Sequence, residues 1–529
     1  MLSRQRLDWG VLMGGVALTR LLFRSHYLYD VDSVNFALAI ERFDPTVHQP
    51  HPPGYFLYVC LGRLVNMVFH DPNAALVAIS IAASCGAAAM IYVLTDEWFG
   101  SQAARFSGVL FLASPLAWFH GTVALTYIVE AFFSALIGYL CWRVYQGATG
   151  WILPVAVALG LAAGVRPSTL LFLGPLFLVS LRRAPFGKAV AGIAALVIAM
   201  LAWFVPMIYA SGGSSQYFSA LSFLWSTSPG RQNSLSSILL LSIARFFTIA
   251  GVFVLSFGSA IALFARALWT EEPRKPSQER FTWIWIAPAL LFFTFVFLRF
   301  INSGYLLVVF PPVCSWVAWW ASNWYLRLPF SIPVRAALIV AAAAINVAIF
   351  LQAPVYCSYR GVRTFEAELE TIKGSLPQVA SPEQTLIIGF DSHFLGFRHA
   401  GYYFPEYTVA EYPEVRFPDH NKVFTMHHRD TKLVERIATK SFANFVLFPL
   451  PRTGAEYGQR LDEMHEKLGG RQQTVTVAGY PFVTGPIEDL PLLFPAACAN
   501  FAGSCIRCVT LRPVLCTSVD SASGRGHYN

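Results

Sequence analysis

The sequence predicts an all-α polytopic membrane domain of about eleven spans followed by a small α/β or α+β domain outside the membrane. Three observations carry that expectation. Of 529 residues, 55% are hydrophobic and only 13% charged, where a soluble domain holds nearer a quarter charged. Apolar runs fill residues 1–355 and give way to mixed, charge-rich sequence. Basic residues gather in short connections between those runs, the pattern that sets orientation in a bilayer. The net charge of +8 is accounted for in this way. No basic stripe with interleaved aromatics occurs, which argues against nucleic-acid binding.

Apolar runs predict spans near 9–25, 73–95, 103–119, 121–142, 150–165, 167–181, 188–210, 236–265, 281–299, 303–322 and 336–355. The run 54–70 carries Arg63 and Asn66 at its centre. It is expected to lie in the outer interface as an amphipathic helix rather than to cross. Three basic connections face the cytoplasm by the positive-inside rule: Arg182, Arg183 and Lys188; Arg266, Arg274, Lys275 and Arg280; Arg327 and Arg335. Counting outward from them, residues 356–529, the connections near 120–126 and 166, and the loop bearing Asp30 and Asp32 lie outside. Arg4 and Arg6 keep the N-terminus inside, ahead of an uncleaved first helix. A bacterial inner or plasma membrane is the expected location.

The domain boundaries read as 1–355, 356–490 and a weakly ordered tail at 491–529. The middle segment alternates helix and strand. Thr364–Ile372 and 455–468 are charged amphipathic helices; Thr385–Phe390, Val423–Met426, Asn444–Phe448 and Thr474–Val477 are strands. Cys505-Ile506-Arg507-Cys508 has zinc or redox spacing, but no histidine lies close. Disulfides or an idle tail are the simpler reading. There is no inverted repeat of the transporter kind.

The polar residues worth singling out converge on the outer face. Asp30 and Asp32 are followed by His48, His51 and Tyr55 in one loop. Asp32 reads as a functional acid, or else as the N-cap of a helix over 33–41; Asp30 reads as its companion or as a turn residue. His48 and His51 are functional imidazoles or, for His51, part of a stiff Pro-rich entry to the helix over 54–70. Glu130 is an unpaired acid inside the outer end of a span, which is costly and hence functional by default. Arg166 sits at an outer connection, where snorkelling to lipid headgroups is the plain alternative; Arg20 and Arg24 read the same way. Arg299 and Tyr305 flank a short outer turn. Tyr29, Tyr55 and Tyr127 are placed to line a sugar or lipid path. His26, His48, Asp30 and Asp32 together offer metal-ligand types without metal spacing. Asp391-Ser392-His393 resembles pieces of a triad, but adjacent residues on an extended chain point apart. Acids and bases at one membrane surface suit transfer of a sugar from a lipid phosphate. A carboxylate deprotonates the acceptor hydroxyl, and cations stabilise the departing phosphate.

Those motifs resemble the GT-C membrane glycosyltransferases, in particular the family of dolichyl-phosphate-mannose protein mannosyltransferases and bacterial lipid A aminoarabinose transferases. Asp32-Ser33-Val34-Asn35-Phe36 stands where that family has an Asp-Glu pair followed by an aromatic, Ser33 replacing Glu. His51-Pro52-Pro53-Gly54-Tyr55 resembles its His/Lys-x-Pro-Pro-Leu-Tyr stretch. Glu130 stands where it often has a second Asp. Gly160–Arg166 resembles its Gly-Leu-x-x-Gly-x-Arg turn, and the stretch from Ser303 to Pro312 its closing span. The resemblance implies a GT-C fold and inverting transfer from a polyprenyl-phosphate sugar to a hydroxyl on protein, glycan or lipid. It makes Asp32 the base, assisted by Asp30. His51, His48, Arg166, Tyr55, Tyr127, Tyr305 and Arg299 would bind substrate, and Asp32 and Glu130 would hold a divalent metal, Mg or Mn. The outer domain would help bind the acceptor. A transporter or flippase of lipid-linked sugars and a non-catalytic membrane scaffold are the rival readings.

Overall fold

The structure is a computed structural model and describes residues 2–227, 235–260, 275–416, 421–449 and 456–498. The Cys505–Cys508 motif, Arg266 and Arg274 lie outside the described residues, as does the tail beyond residue 498.

Helices fill the first two thirds in the order α1 (Leu2–Leu22), α2 (Val31–Glu41), α3 (Phe56–Phe69), α4 (Pro72–Phe99), α5 (Ser101–Ala113), α6 (Pro115–His120) and α7 (Tyr127–Tyr145). They continue as α8 (Ile152–Val165), α9 (Ser168–Leu181), α10 (Phe186–Ala210), α11 (Ser214–Thr227), α12 (Leu235–Phe257), α13 (Pro276–Phe295), α14 (Phe310–Arg327) and α15 (Ile332–Gln352). Local chemistry sets the breaks. Asp71 caps α4 through the Ala74 N–H at 2.8 Å, with Pro72 at the first helical position, where its missing N–H costs nothing. Gly100, at φ +89°, adopts a left-handed conformation between α4 and α5. The Ser114 hydroxyl caps α6 ahead of Pro115, which divides the single span expected over 103–119 into two helices.

Every apolar run expected to span contains helix. Among the described residues, five helices are long and apolar enough to cross a bilayer: Pro72–Phe99, Tyr127–Tyr145, Phe186–Ala210, Leu239–Ala260 and Ile332–Gln352. A sixth is added if the 3-10 helix Phe300–Val308 and α14, bent by 77°, act as one. The span expected over 303–322 is therefore a kinked pair, and an eleven-span count rests on shorter helices. The bundle is sorted by burial. α4 and α7 are mostly buried, whereas α10 and α15 expose most of their apolar residues, among them Ile193, Val197, Ile198, Val334 and Val340. Apolar surface on that scale is what a lipid-facing wall requires. Arg63 of α3 is exposed, but its guanidinium donates to the Ala39 and Ile40 carbonyls at the C-terminus of α2, both at 2.9 Å, where a cation is favoured. Arg20 does not snorkel. It is fully buried and donates to the Phe111 and Leu112 carbonyls at the end of α5, at 3.2 and 3.0 Å.

The second part comprises α16 (Tyr359–Val379), β1 (Thr385–Phe390), α17 (Phe397–Tyr403), β2 (Thr408–Tyr412), β3 (Val415–Arg416), β4 (Asn421–His427), β5 (Asp430–Val434), β6 (Asn444–Leu447), α18 (Glu456–Leu468), β7 (Gln473–Val477), β8 (Tyr480–Pro486) and α19 (Leu490–Leu493). They form one mixed sheet in the order β3-β4-β2-β1-β6-β8-β7, with β5 paired to β4. The central strand β1 runs parallel to β2 and β6 and is buried throughout. That explains its continuous Leu-Ile-Ile run, since a parallel strand is covered on both faces. The expected helix over 364–372 is longer, as α16. Strands β2, β5 and β8 carry Glu, Lys, Pro or Gly and lack an apolar alternation strong enough to announce them, and β3 is only the pair Val415–Arg416.

The two faces of β1 belong to different cores. Leu386, Ile388 and Phe390 pack with Met464, Leu468, Leu490 and Phe494. Ile387 joins a cluster that continues through Phe365, Phe397 and Tyr29 into the helices of the first part. In the sheet, burial and the nearby Asp391 carboxylate hold the Glu411 carboxyl up to about 8, against the pull of the Arg398 guanidinium. A carboxyl raised in the folded state holds its proton more tightly folded than unfolded. Its cost to stability therefore grows as pH rises from about 4.5 through about 8. Glu411→Gln is expected to gain on the wild type in thermal unfolding at pH 8.5 relative to pH 5. A difference between the two proteins that does not change with pH refutes this.

Candidate active site

The loop between α1 and α3 is shaped by its own polar residues. Asp30, not Asp32, is the N-cap of α2: its Oδ1 accepts from the Asp32 N–H at 2.9 Å. Asp32 falls in the first turn, and its side chain is free to face elsewhere. It meets the His51 imidazole, with Oδ1 3.3 Å from Nδ1. The other ring nitrogen, Nε2, lies 3.2 Å from the Tyr55 hydroxyl. Paired backbone hydrogen bonds between Asp44 and Gln49 close the intervening loop, which brings His51 back over α2.

Glu130, in the first turn of α7, and Arg166, the C-cap of α8, form the floor of the site. Pro167 follows Arg166 and ends α8 by withholding a backbone donor. Thr169, in the first turn of α9, completes the set. Glu130 Oε2 lies 3.0 Å from Arg166 Nε, and Glu130 Oε1 accepts from Thr169 Oγ1 at 2.9 Å. Arg166 also donates to Thr126 Oγ1 at 2.7 Å. Glu130 is thus a paired acid, and Arg166 is not a snorkelling one. The Glu130 and Arg166 side chains are 0% and 4% exposed, against 27% and 21% for Asp32 and His51. A site with an open mouth and a dry floor results.

Aromatic rings join mouth to floor. The Arg166 guanidinium stands over Tyr127 at 4.4 Å, Tyr305 at 4.3 Å and Tyr55 at 5.9 Å, a cation–π arrangement that strengthens where water is excluded. Tyr305 comes from the 3-10 helix at the 77° bend. Gly304 beside it has no room for a side chain: a Cβ would sit 2.4 Å from the Tyr127 ring and 2.6 Å from His120. His120 is buried against Tyr127, and neither ring nitrogen has a hydrogen-bond partner among the described residues.

Asp32, His51, Tyr55, Arg166, Glu130, Tyr127 and Tyr305 therefore make one continuous chain of contacts. The other candidates stand apart. His48 packs against Phe424, and burial with Arg398 and His51 nearby pushes its imidazole down to about 3. Arg299 is exposed at the start of the 3-10 helix and joins none of these contacts among the described residues. Tyr29 is buried against Phe119, Phe365 and Phe394 and donates to the Tyr356 carbonyl; it is a packing residue, not a path liner. Asp30 is buried, and burial with the Asp32 carboxylate pushes it up to about 7, His393 pulling the other way. Thr126, Thr169, His120 and His393 were not singled out as site residues by sequence reasoning. Only the Ser-Thr pair directly after Arg166-Pro167 offered a signal.

The residues present do not fit a metal cage. Among the described residues no group of three or more His, Cys, Asp or Glu side chains is arranged to hold an ion. Both Glu130 oxygens are engaged by Arg166 and Thr169.

Removing one member of a buried ion pair leaves an uncompensated charge, at a cost of about 3–5 kcal/mol. Arg166→Met is expected to lower the unfolding temperature in detergent sharply, and adding Glu130→Leu to recover most of it. A single variant as stable as the wild type would contradict the pairing.

A family model described as the Protein O-mannosyl-transferase TMEM260 N-terminal domain matches residues 45–189. Among solved structures, ArnT from Cupriavidus metallidurans in the apo state is similar at 16% identity and a TM-score of 0.52, covering 91% of this chain and 98% of that one. The same protein bound to undecaprenyl phosphate is similar at 15% identity and a TM-score of 0.52, over 90% and 98%. AglB from Archaeoglobus fulgidus, in complex with an inhibitory peptide and a dolichol-phosphate, gives 13% identity and a TM-score of 0.41, over 91% and 74%. No curated protein matches the chain by sequence. The chain thus shares the GT-C fold of ArnT, and its residues 45–189 match a protein O-mannosyl-transferase domain.

Proposed function

We propose that this chain is an integral membrane glycosyltransferase that moves a sugar from a polyprenyl-phosphate donor to a hydroxyl acceptor. The observation that carries this reading is the continuous set Asp32–His51–Tyr55–Arg166–Glu130. It joins a half-open carboxylate–imidazole pair to a buried, fixed cation. The O-mannosyl-transferase match over 45–189 covers His51, Tyr55, Glu130 and Arg166, and a protein of this fold binds undecaprenyl phosphate.

In the proposed reaction Asp32 accepts the proton of the acceptor hydroxyl as its oxygen bonds to the anomeric carbon. The bond from that carbon to the donor phosphate breaks, and the polyprenyl phosphate leaves with the electron pair. Attack opposite the leaving group inverts the anomeric centre. His51 and Arg166 stabilise the charge growing on the phosphate; because Thr126 and Glu130, itself held by Thr169, already fix Arg166, little reorganisation is needed during reaction. Glu130 serves here by holding Arg166. Tyr55, Tyr127 and Tyr305 line the donor's approach. The domains read as a transferase unit over 1–355 and an acceptor-side unit over 356–490. By the positive-inside reading, the N-terminus is cytoplasmic and that unit extracytoplasmic, with a bacterial inner or plasma membrane as the proposed location.

The test is transfer from a panel of polyprenyl-phosphate sugars, read by mass spectrometry of the acceptor pool. Asp32→Asn is expected to lose transfer by about 10²–10⁴-fold while still folding and binding undecaprenyl phosphate. Undiminished transfer by this variant would remove Asp32 from the role of base, and movement of the lipid-linked sugar with no covalent product would sink the transferase reading.

A further inference from the structure

The second part of the chain meets the Asp32 loop at several points. The Tyr403 hydroxyl accepts from the Leu28 N–H at 2.7 Å, and Glu366 Oε1 from the His26 N–H at 2.7 Å. Arg398 donates to the Val47 carbonyl at 2.8 Å. Arg42 pairs with Asp430 and donates to the Thr431 carbonyl at 2.8 Å. These contacts fix the loop as a whole. One further contact reaches the base itself.

A helix begins with backbone N–H groups that have no partner inside it. In α2 the first two are satisfied from different parts of the chain. The Asp32 N–H is taken by Asp30 Oδ1. The Val31 N–H is taken by the main-chain carbonyl of His393 at 2.9 Å. The His393 imidazole lies beside the same Asp30: Nδ1 is 3.8 Å from Oδ2, the carboxylate oxygen that does not cap Asp32. His393 thus meets the start of α2 twice, by accepting the Val31 N–H at its carbonyl and by the ion-pair approach of its ring to Asp30, which at 3.8 Å is longer than a hydrogen bond. Asp30 in turn fixes the backbone of Asp32. His393 lies three residues after the end of β1, the strand buried on both faces of the sheet, so its backbone is carried by the buried centre of that part.

We infer that His393 is a positioning residue for Asp32, acting through Asp30, so that the C-terminal sheet domain completes the site rather than only standing over it. The inference deepens the transferase reading and rests on it for the role of Asp32. The geometry of the cap does not depend on that reading. His393→Ala keeps the carbonyl and removes the ring. His393→Asn keeps a polar nitrogen near the place of Nδ1.

The experiment uses the full chain in lipid nanodiscs. Amide exchange over residues 30–34, followed by mass spectrometry without any donor, is expected to rise about three- to tenfold in His393→Ala, the scale of a weakened cap. It is expected to stay near wild type in His393→Asn, with the unfolding temperature little changed in both. On a donor that supports transfer, His393→Ala is expected to lower kcat about tenfold with donor KM unchanged, the signature of a misplaced base. His393→Asn is expected to restore it. Wild-type exchange in His393→Ala overturns the inference whether or not a donor is found. An equal loss in the alanine and asparagine variants assigns the ring a packing role and also overturns it. If Asp32→Asn transfers normally while the exchange result holds, the role of Asp32 as base fails and the positioning contact stands.

Discussion

One buried guanidinium organises the floor of this protein. Arg166 sits where α8 ends and α9 begins, out of reach of water, and a lone charge there would be prohibitively costly. Its surroundings answer that cost. Glu130 from the start of α7 supplies the opposite charge, Thr126 and Thr169 supply hydroxyls, and three tyrosines present ring faces. Each partner comes from a helix end, so the pair also fixes how α7, α8, α9 and the bend before α14 meet. The result is a fixed positive charge that owes nothing to any ligand.

The mouth of the site is built on another principle. Asp32 and His51 are partly solvated and are held by backbone geometry rather than by burial. Asp30 caps α2, the Asp44–Gln49 pairing folds the loop back, and the sheet domain grips both ends of it. The two acids adjacent in sequence therefore divide the work. Asp30 caps the helix, and Asp32 is left facing His51.

The sequence made the broad fold legible because bilayer physics is written in composition. Long apolar runs and basic connections marked the helical part, and the buried strand β1 announced itself by its Leu-Ile-Ile run. Several site residues were legible for a similar reason: Glu130 and Arg166 violate the apolar pattern, and His51 lies in a Pro-rich turn. What could not be read was pairing. Glu130 looked unpaired because Arg166 is its neighbour only after α8 folds back. Arg20 looked like a snorkelling residue because the carbonyls it binds belong to α5. His393 looked like a failed triad member, since its contribution runs through a main-chain carbonyl, which side-chain identity does not encode. The 77° break before α14 falls just ahead of Pro311-Pro312, which suit the first turn of a helix, inside a run that length and hydropathy alone join into one span.

The apolar cluster that runs from the helices through Tyr29, Phe365 and Phe397 to Ile387 bears on how such a chain can be rearranged over time. Modular proteins exchange parts where few contacts cross a boundary. Here the sheet domain shares its inner face with the bundle and its cap with α2. A graft of residues 356–498 onto a related bundle would arrive with an uncovered greasy face and a mismatched loop. The unit of inheritance is therefore the sheet domain together with the segment from His26 to Tyr55, two stretches distant in the chain that have to change in step.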